Sequence, residues 1–210
     1  MRKNSDTARR RRLLPVGDIP FVGGCLCVDF VNTTGARETG HERERIESYA
    51  DVLTWSRRTG LLSSADARRI RELASRHSGK AARAVSRLRR IRESLYRVLR
   101  AVAEDSRPQA EDITFLDRLF RLERQNYELV RNGPRYELRR QQRLDELDCM
   151  VWPIVASATK LLTSREARLK RCGECDWLFV DDSKNSSRLW CKKACGDRVR
   201  ARRHYARTKS

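Results

Sequence analysis

The residues of this chain with the clearest capacity for chemistry are four cysteines near its C-terminus. They form two closely spaced pairs, Cys172 with Cys175 and Cys191 with Cys195. Zn²⁺ takes about four thiolate ligands in a tetrahedron, and two short chelating pairs separated by roughly 12 to 20 residues can supply them. Two disulfides, or four unrelated thiols, are the alternatives. Because the spacing is specific and the rest of the chain looks intracellular, we predict a zinc site in which all four cysteines are ligands.

The segment around these cysteines holds too few apolar residues to form a core without help. About 40 residues of this composition need a metal ion to fold, and zinc contributes on the order of 10 kcal/mol to such a module. We therefore expect a zinc-nucleated module in which Trp177, Phe179 and Trp190 form a small core against the metal.

The charge of the chain is strongly positive and unevenly distributed. The formal net charge is +19 over 210 residues. Residues 1–12 carry +5, residues 170–210 carry +7, and the 157 residues between them share the remaining +7. Basic ends suit a polyanion such as nucleic acid, or an anionic membrane surface. A basic surface that is merely solvated is the alternative.

No run of about 20 apolar residues is present, so we expect no membrane-spanning segment and no membrane partner. The arginines at residues 9–12 precede an apolar segment that superficially resembles an export signal. Pro15, Asp18 and Pro20 interrupt the apolar core that such a signal requires. We therefore predict a cytoplasmic protein, in which thiols stay reduced.

Apolar periodicity predicts a mainly α N-terminal domain with a small β component, an α+β fold. Ser63 and Asp66 have the spacing of a capping box at a helix start, and Gly60 stands where the preceding helix should stop. The predicted helical faces lie at residues 46–53, 67–74, 85–102 and 113–120.

Three further segments are read less directly from their pattern. Residues 25–31 fit either a buried strand or the first turn of a helix, and periodicity does not decide between them. Residues 127–131 and 135–139 alternate around a turn and predict a hairpin. Residues 144–162 predict a strongly apolar helix that Pro153 should kink or strain.

We accordingly divide the chain into three parts. Residues 1–20 are expected to be a disordered basic arm, residues 21–164 a helical α+β domain, and residues 165–210 a treble-clef-like zinc finger with four cysteine ligands. In such a finger the first cysteine pair lies on a hairpin turn, and the second lies at the start of a helix, here running from about Gly196 to Arg207.

The C-terminal module resembles the CGNR-type zinc finger, and the residues before it resemble the ABATE domain. The finger signature is Cys172-x-x-Cys175-Asp-Trp-Leu-Phe-Val-Asp181-Asp-Ser183-Lys-Asn185-x-Ser187-Arg188-x-Trp190-Cys191, then Cys195-Gly196-Asp197-Arg198. The ABATE signatures are Asp29-Phe30-Val31-Asn32-Thr33, Trp55 with Thr59-Gly60-Leu61-Leu62, and Trp152-Pro153 with Leu161-Leu162-Thr163-Ser164. Together they cover nearly everything after the first 20 residues.

The resemblance implies a function. CGNR-type fingers stand at the C-terminus of bacterial proteins regarded as stress-induced transcription regulators, so it implies a zinc-binding, DNA-binding regulator of bacterial type. It also implies that the N-terminal domain senses a small-molecule effector or forms an assembly, for which a homodimer is one candidate. Asp29, Asn32 and Thr33 are then the candidates for lining a ligand pocket. Polar residues that cap a strand or helix end are the alternative interpretation of these three.

One position departs from the motif that names the family, which has Asn where this chain has Asp197. An ionised Asp only accepts hydrogen bonds and repels phosphate, so it weakens the DNA interpretation if the family's Asn contacts DNA. If that position only caps a helix start, Asp serves equally well. We favour the capping interpretation.

The helix after Cys195 is too rich in arginine to be a core element. Arginine matches phosphate and the guanine edge through its planar fork, so we predict that this helix enters a DNA groove. Flanking basic residues are expected to contact the DNA backbone. The predicted nucleic-acid-binding residues are Arg188, Lys192, Lys193, Arg198, Arg200, Arg202, Arg203 and Arg207.

No catalytic constellation is recognised, and we expect no enzyme. Four thiolates leave no open position on zinc, which argues against catalysis by the metal. Cys25, Cys27 and Cys149 are expected to be buried hydrophobes, with a redox-sensing pair of Cys25 and Cys27 as the alternative. The main competing function is that of an RNA-associated structural zinc protein.

Overall fold

The computed structural model describes residues 14–37, 42–141 and 143–208. Most of the predicted basic arm, residues 1–13, lies outside the described residues. The predicted arm extends to residue 20, whereas residues 16–18 form a 3₁₀ turn. Val16 and Ile19 are buried, and Arg58 donates hydrogen bonds to both of their carbonyl oxygens. Because the Val16 and Ile19 side chains are buried, residues 16–19 pack against the helical domain.

The described part of the chain is mostly helical, with two small antiparallel sheets. The helices are α1 (Leu26–Val31), α2 (Tyr49–Arg58), α3 (Ser64–Arg76), α4 (Ser78–Ala103), α5 (Ala110–Arg124), α6 (Val151–Thr163) and α7 (Lys193–Thr208). The strands are β1 (Tyr127–Asn132), β2 (Arg135–Arg140), β3 (Leu169–Arg171) and β4 (Leu178–Val180). None of these helices combines the length and apolarity needed to cross a bilayer, a finding limited to the described residues.

Local sequence signals account for the first helices. The predicted capping box at Ser63 and Asp66 is confirmed, and Ser48 with Asp51 forms a second one at the start of α2. Gly60 has φ +75°, a backbone angle that glycine adopts without a steric penalty, and it follows the end of α2. The ambiguous segment at residues 25–31 contains helix α1.

The predicted hairpin is confirmed, and its strands pair with Tyr127 opposite Arg140 and Asn132 opposite Arg135. Gly133, at φ +61°, supplies the positive dihedral that the two-residue turn requires. Leu129 and Leu138 face each other in the register and are both largely exposed. The hairpin therefore adds little to the hydrophobic core.

The predicted strain at Pro153 is wrong. Helix α6 begins at Val151, and the preceding residues 144–150 are mainly turns. Pro153 is then the third residue of the helix, within the first turn, where backbone N–H groups have no intrahelical acceptor. The missing N–H costs no hydrogen bond there, and the helix needs no kink.

The short sheet of the cysteine module packs directly on the helical part. Helix α1 lies against β4 and helix α4 against both β3 and β4, and the buried side chains of both parts form one continuous core. Val180 donates its backbone N–H to the Gly23 carbonyl at 2.9 Å, which covers part of the free edge of β4. The core thus supports the cysteine module as well as the helices.

Candidate metal centre

Two local structures present the four cysteines. Cys172 and Cys175 lie in the turn between β3 and β4, where Cys172 donates its backbone N–H to the Trp177 carbonyl at 2.8 Å. Cys191 lies two residues before the start of α7, and Cys195 lies in the first turn of that helix. The structure therefore has the predicted arrangement, with a hairpin knuckle facing a helix start.

The distances among the four sulfurs fit a tetrahedral metal site. All four ligand atoms lie within 4.8 Å of one another. Cys175 Sγ is 3.5 Å from Cys191 Sγ and 3.7 Å from Cys195 Sγ. Zinc–sulfur bonds of about 2.3 Å in a tetrahedron place sulfurs about 3.8 Å apart, so the thiol positions already fit zinc. The arrangement of the four cysteines confirms the prediction of zinc as the cofactor.

Hydrogen-bond donors surround the sulfurs. The pKa of Cys172 is lowered because the Cys175 and Cys191 thiols donate to its sulfur. Arg198 Nη2 lies 3.1 Å from Cys195 Sγ. Donors and a guanidinium beside a thiolate stabilise its negative charge, which is the form that binds a metal.

Glu174, between the first two cysteines, ties the hairpin knuckle to α7. Its carboxylate accepts hydrogen bonds from Arg198 Nε at 2.8 Å and from both terminal nitrogens of Arg202. Burial acts to raise the pKa of Glu174, but the hydrogen bonds from Arg198 and Arg202 outweigh it and the pKa is lowered. Glu174 is not among the residues predicted from sequence, although an acid between two ligand cysteines and ahead of a basic helix is a recognisable signal.

A second buried acid, Asp181, orders the loop between the knuckles. Lys170 Nζ donates to its carboxylate at 2.6 Å, and the backbone N–H and hydroxyl of Ser183 donate to its other oxygen. The hydrogen bond from Lys170 holds the pKa of Asp181 well below its usual range. Ser187 then donates its backbone N–H to the Ser183 hydroxyl at 3.0 Å. A loop-ordering role of Ser183 follows from these contacts.

Arg188 is engaged within the finger. Its guanidinium donates to the carbonyl oxygens of Trp190 and Cys191 and lies over the Phe179 ring, 4.7 Å from its centroid. Trp190 in turn packs on α7 at Gly196, where an added Cβ would lie 3.1 Å from the indole. The residue after the last ligand cysteine must therefore be small for the two knuckles to close.

The predicted small aromatic core is present. Phe179 is fully buried, and Trp177 is 6% exposed and donates its indole N–H to the Thr34 carbonyl at 3.0 Å. Lys192 Nζ lies over the Trp177 ring, 4.9 Å from its centroid. Both rings face the protein interior, which leaves them unsuited to base stacking.

The far part of α7 differs from its metal-bound start. Every residue from 200 to 208 is exposed, so this part of the helix extends into solvent on all sides. Among the described residues, Lys193, Arg203 and Arg207 have no acidic partner. His204 lies on this exposed part, away from the cysteine cluster, and makes an edge contact with Tyr205.

The capping interpretation of Asp197 is wrong. Helix α7 begins at Lys193, so Asp197 is its fifth residue and lies beyond the free N–H groups of the first turn. Its carboxylate instead accepts a hydrogen bond from Arg200 at 2.5 Å. The helix starts at Lys193 and not near Gly196 as predicted. Cys195 therefore lies within its first turn and donates its backbone N–H to the Lys192 carbonyl.

The structure places Asp29, Asn32 and Thr33 beside the finger and gives each an internal partner. Asn32 donates to the Leu178 carbonyl at 2.9 Å and accepts from the Leu178 N–H at 3.0 Å, as a neighbouring strand would. Thr33 donates to the Phe30 carbonyl and accepts from Arg92, while Asp29 accepts from the Gly23 N–H. Ligand binding by these three stays a prediction.

The cysteines outside the cluster lie in the helical part. Cys25 and Cys27 have their sulfurs 3.6 Å apart, and the pKa of Cys25 is lowered to about 7 by a hydrogen bond from the Cys27 thiol. Cys27 and Cys149 are buried, as expected of small hydrophobes, whereas Cys25 is only partly buried.

Comparison with known families agrees with this architecture. A family model named ABATE, described as "Putative stress-induced transcription regulator", matches residues 24–165. A second family model, the CGNR zinc finger, matches residues 168–208 and so contains all four cysteines. No curated protein matches the chain. The chain belongs to the ABATE family and ends in a CGNR zinc finger.

Proposed function

We propose that this protein is a DNA-binding transcription regulator in which zinc holds α7 in position to enter a DNA groove. The family description supports a role in transcription regulation. The finer statements, that the partner is DNA and that α7 contacts it, rest on the shape and charge of the finger.

The exposed end of α7 is the observation that carries the proposal. Residues 200–208 are exposed on all sides of the helix and contain four arginines and no acid. An α-helix with side chains is about 10–12 Å across, which matches the roughly 12 Å width of the major groove. A helix that is polar on all sides has no core face, and its concentrated positive charge attracts a polyanion such as DNA.

We assign different roles to the predicted nucleic-acid-binding residues. Lys193, Arg203 and Arg207 are free to reach phosphates or base edges. Arg188 and Arg198 position the finger, because their guanidinium groups are held by internal acceptors and by Glu174.

Three residues of the predicted set have intermediate roles. Arg200 and Arg202 keep about two thirds of their side chains exposed despite their acidic partners, at 61% and 67%. They can therefore add phosphate contacts at the edge of the groove. The ammonium group of Lys192 makes a cation–π contact with the Trp177 ring, so Lys192 adds at most one contact to the DNA backbone.

Zinc has a structural role in this proposal. Four thiolates fill the tetrahedral coordination of zinc, so no position remains for a substrate or a reactive water. The metal joins the β3–β4 turn to the start of α7, and the direction of α7 then follows from the position of the cysteines. This role requires reduced thiols, which suits the cytoplasm.

The N-terminal domain supplies the regulatory input in this proposal. Helix α1 lies against β4 through Asn32, so an effector or a partner that moves α1 also moves the finger. A thermal-shift screen of small molecules that also measures DNA affinity tests this part. A compound that raises the melting temperature and changes DNA affinity supports it.

Fluorescence anisotropy on the full-length, zinc-loaded protein tests DNA binding. A duplex DNA and a structured RNA of about 30 base pairs are compared over a range of about 50 to 200 mM salt. We expect the R203Q/R207Q variant to lose affinity for DNA. The R118Q/R124Q variant is the matched control, because it removes the same charge from exposed positions of α5.

The outcomes separate the candidate functions. Equal affinity of R203Q/R207Q and wild type for duplex DNA contradicts the proposal. Tighter binding of the RNA at every salt concentration favours an RNA-associated zinc protein instead.

A further inference from the structure

A second concentration of positive charge lies far from the zinc finger. Residues 68–90 contain nine Lys or Arg and a single acid, Glu72, for a net charge of +8. This exceeds the +7 of residues 170–210. Residues 13–67 and 91–169 together carry −1. The whole net positive charge of the middle of the chain, residues 13–169, therefore lies in residues 68–90.

Most of this charge is exposed and unpaired. Helix α3 ends at Arg76 and α4 begins at Ser78, which places the basic residues of both helices around one sharp corner. Six of them are exposed and have no acidic partner among the residues that the structure describes. These six form what we call the α3–α4 basic surface: Arg68, Arg69, Arg71, Arg76, Lys80 and Arg83.

The remaining basic residues of the segment are engaged elsewhere. Arg87 pairs with Asp148, Arg89 with Glu44, and Arg90 lies over the Phe115 ring. These three arginines of α4 each contact an acid or an aromatic ring of the protein. The six surface residues therefore differ from their neighbours in having their charge directed to solvent.

The start of α4 adds to the positive potential. The helix is 26 residues long, its first turn contains no acid, and the side chain of the N-cap residue His77 makes no capping hydrogen bond. Acids are usually favoured at this position because a helix N-terminus is itself partly positive. Here the exposed basic side chain of Lys80 occupies the first turn instead, so the positive charge of the side chain and that of the helix end add together.

Acidic groups on the neighbouring segment leave most of this surface uncompensated. A cavity of about 520 Å³ is lined by His77, Lys80 and Arg83 together with three acids, Asp145, Glu146 and Asp148. Of these three acids, Asp148 is already paired with Arg87, and Glu146 with Arg143. Arg68, Arg69 and Arg76 do not line this cavity, and Arg71 lines a different one together with Glu47.

The surface is also separate from the finger. Helix α4 meets the finger near its C-terminal end, where the Tyr96 hydroxyl lies 3.4 Å from the Asp176 carbonyl oxygen. Lys80 is 16 residues earlier in the same helix. At 1.5 Å per residue this is a distance of about 24 Å along the helix axis.

We propose that the α3–α4 basic surface is a second contact site for the nucleic-acid phosphate backbone, about 24 Å from the zinc finger along α4. This inference rests on the proposed function, because it assumes that the finger binds DNA. The surface contributes affinity without sequence preference, since it consists of cationic side chains without an element that enters a groove. Each phosphate that it neutralises releases a counterion and adds about −0.9 to the salt slope.

The test uses the full-length, zinc-loaded protein and a random-sequence DNA duplex of about 30 base pairs, with affinity measured over a range of salt. The variant R76Q/K80Q/R83Q removes three unpaired charges of the surface. We expect the slope of log K against log salt to become less steep by up to about 2.7. The matched control, R118Q/R121Q/R124Q, removes three exposed charges from α5 and should change the slope by much less.

A third variant, R203Q/R207Q, keeps the two proposals distinguishable. If wild type binds duplex DNA and R203Q/R207Q weakens it, while R76Q/K80Q/R83Q and the α5 control behave alike, the second contact site is overturned and the finger proposal stands. If R76Q/K80Q/R83Q changes the slope and R203Q/R207Q does not, the finger proposal fails and the basic surface is the DNA contact. Circular dichroism melting of each variant establishes that the helices remain folded.

Discussion

The two halves of helix α7 carry the same kind of side chain and use it differently. Near the metal, Arg198 donates to Glu174 and to the sulfur of Cys195. Two turns later, Arg207 is exposed and has no acidic partner among the described residues. The difference comes from Glu174, which is 5% exposed and lies at the metal end alone. Counting arginines in a basic helix therefore overstates how many can reach a nucleic acid.

The comparison also shows where negative charge is located in the finger. The Glu174 carboxylate and the four cysteine sulfurs, which are negatively charged thiolates when they bind zinc, lie at the start of α7, and Arg198 contacts Glu174 and Cys195. Beyond Asp197 the helix has no acid. The charges at the start of α7 are thus paired within the protein, whereas those at its end face solvent.

Removal of one metal ligand should have the largest effect. We expect C172S to reduce zinc from one ion per chain to none and to unfold the finger, because the ligands nucleate it. Since β4 shares the core of α1 and α4, the melting temperature of the whole chain should fall by more than about 10 °C. Metal analysis and thermal denaturation measure both effects. C149S, which alters a buried thiol outside the cluster, should keep its zinc, and a C172S protein with one zinc per chain would contradict the site.

Loss of the link between α1 and the finger should have the next largest effect. N32A leaves the buried N–H and carbonyl of Leu178 without partners, at about 1–3 kcal/mol for each group. We expect urea denaturation to show a loss of roughly 2–4 kcal/mol with zinc content unchanged. N185A, at an exposed position of the finger loop, is the control and should be neutral. An N32A protein as stable as N185A would mean that this contact is not maintained in solution.

Two single substitutions in α7 test the comparison directly. R203Q should reduce the salt slope of DNA binding by about 0.9 and leave the melting temperature unchanged, since it removes one phosphate contact. R198Q should lower the melting temperature and leave the slope nearly unchanged, because Glu174 loses a buried partner. Anisotropy and thermal denaturation measure the two quantities. Identical behaviour of the two variants would eliminate the distinction between the halves of α7.

The smallest effect is expected from D197N. The substitution weakens an exposed pair with Arg200, which costs about 0.2–1 kcal/mol of stability at most. It also removes a negative charge next to the proposed DNA contacts and releases Arg200. DNA affinity should rise roughly twofold, equivalent to about 0.4 kcal/mol, with zinc content unchanged. A fall in affinity would assign Asp197 a positive role in DNA binding.

Features that depend on residues close in sequence were predicted well. The capping box at Ser63, the helix stop at Gly60 and the hairpin around Gly133 all follow from local backbone preferences, and the structure confirms them. The four zinc ligands were also recognisable, because chelating pairs have a restricted spacing. Pro153 was misjudged because its effect depends on where the helix begins, and helix boundaries are set partly by packing.

The sequence by itself therefore determined the helical composition, the zinc ligands, the family and the excess of positive charge. Only the tertiary structure decided which charges are satisfied within the protein. Glu174 reaches Arg202 across 28 positions, and Asn32 reaches Leu178 across 146. Such contacts depend on how distant segments pack, for which the local pattern carries no signal. The same packing leaves the end of α7 and the α3–α4 basic surface exposed, and those two surfaces carry the proposed function.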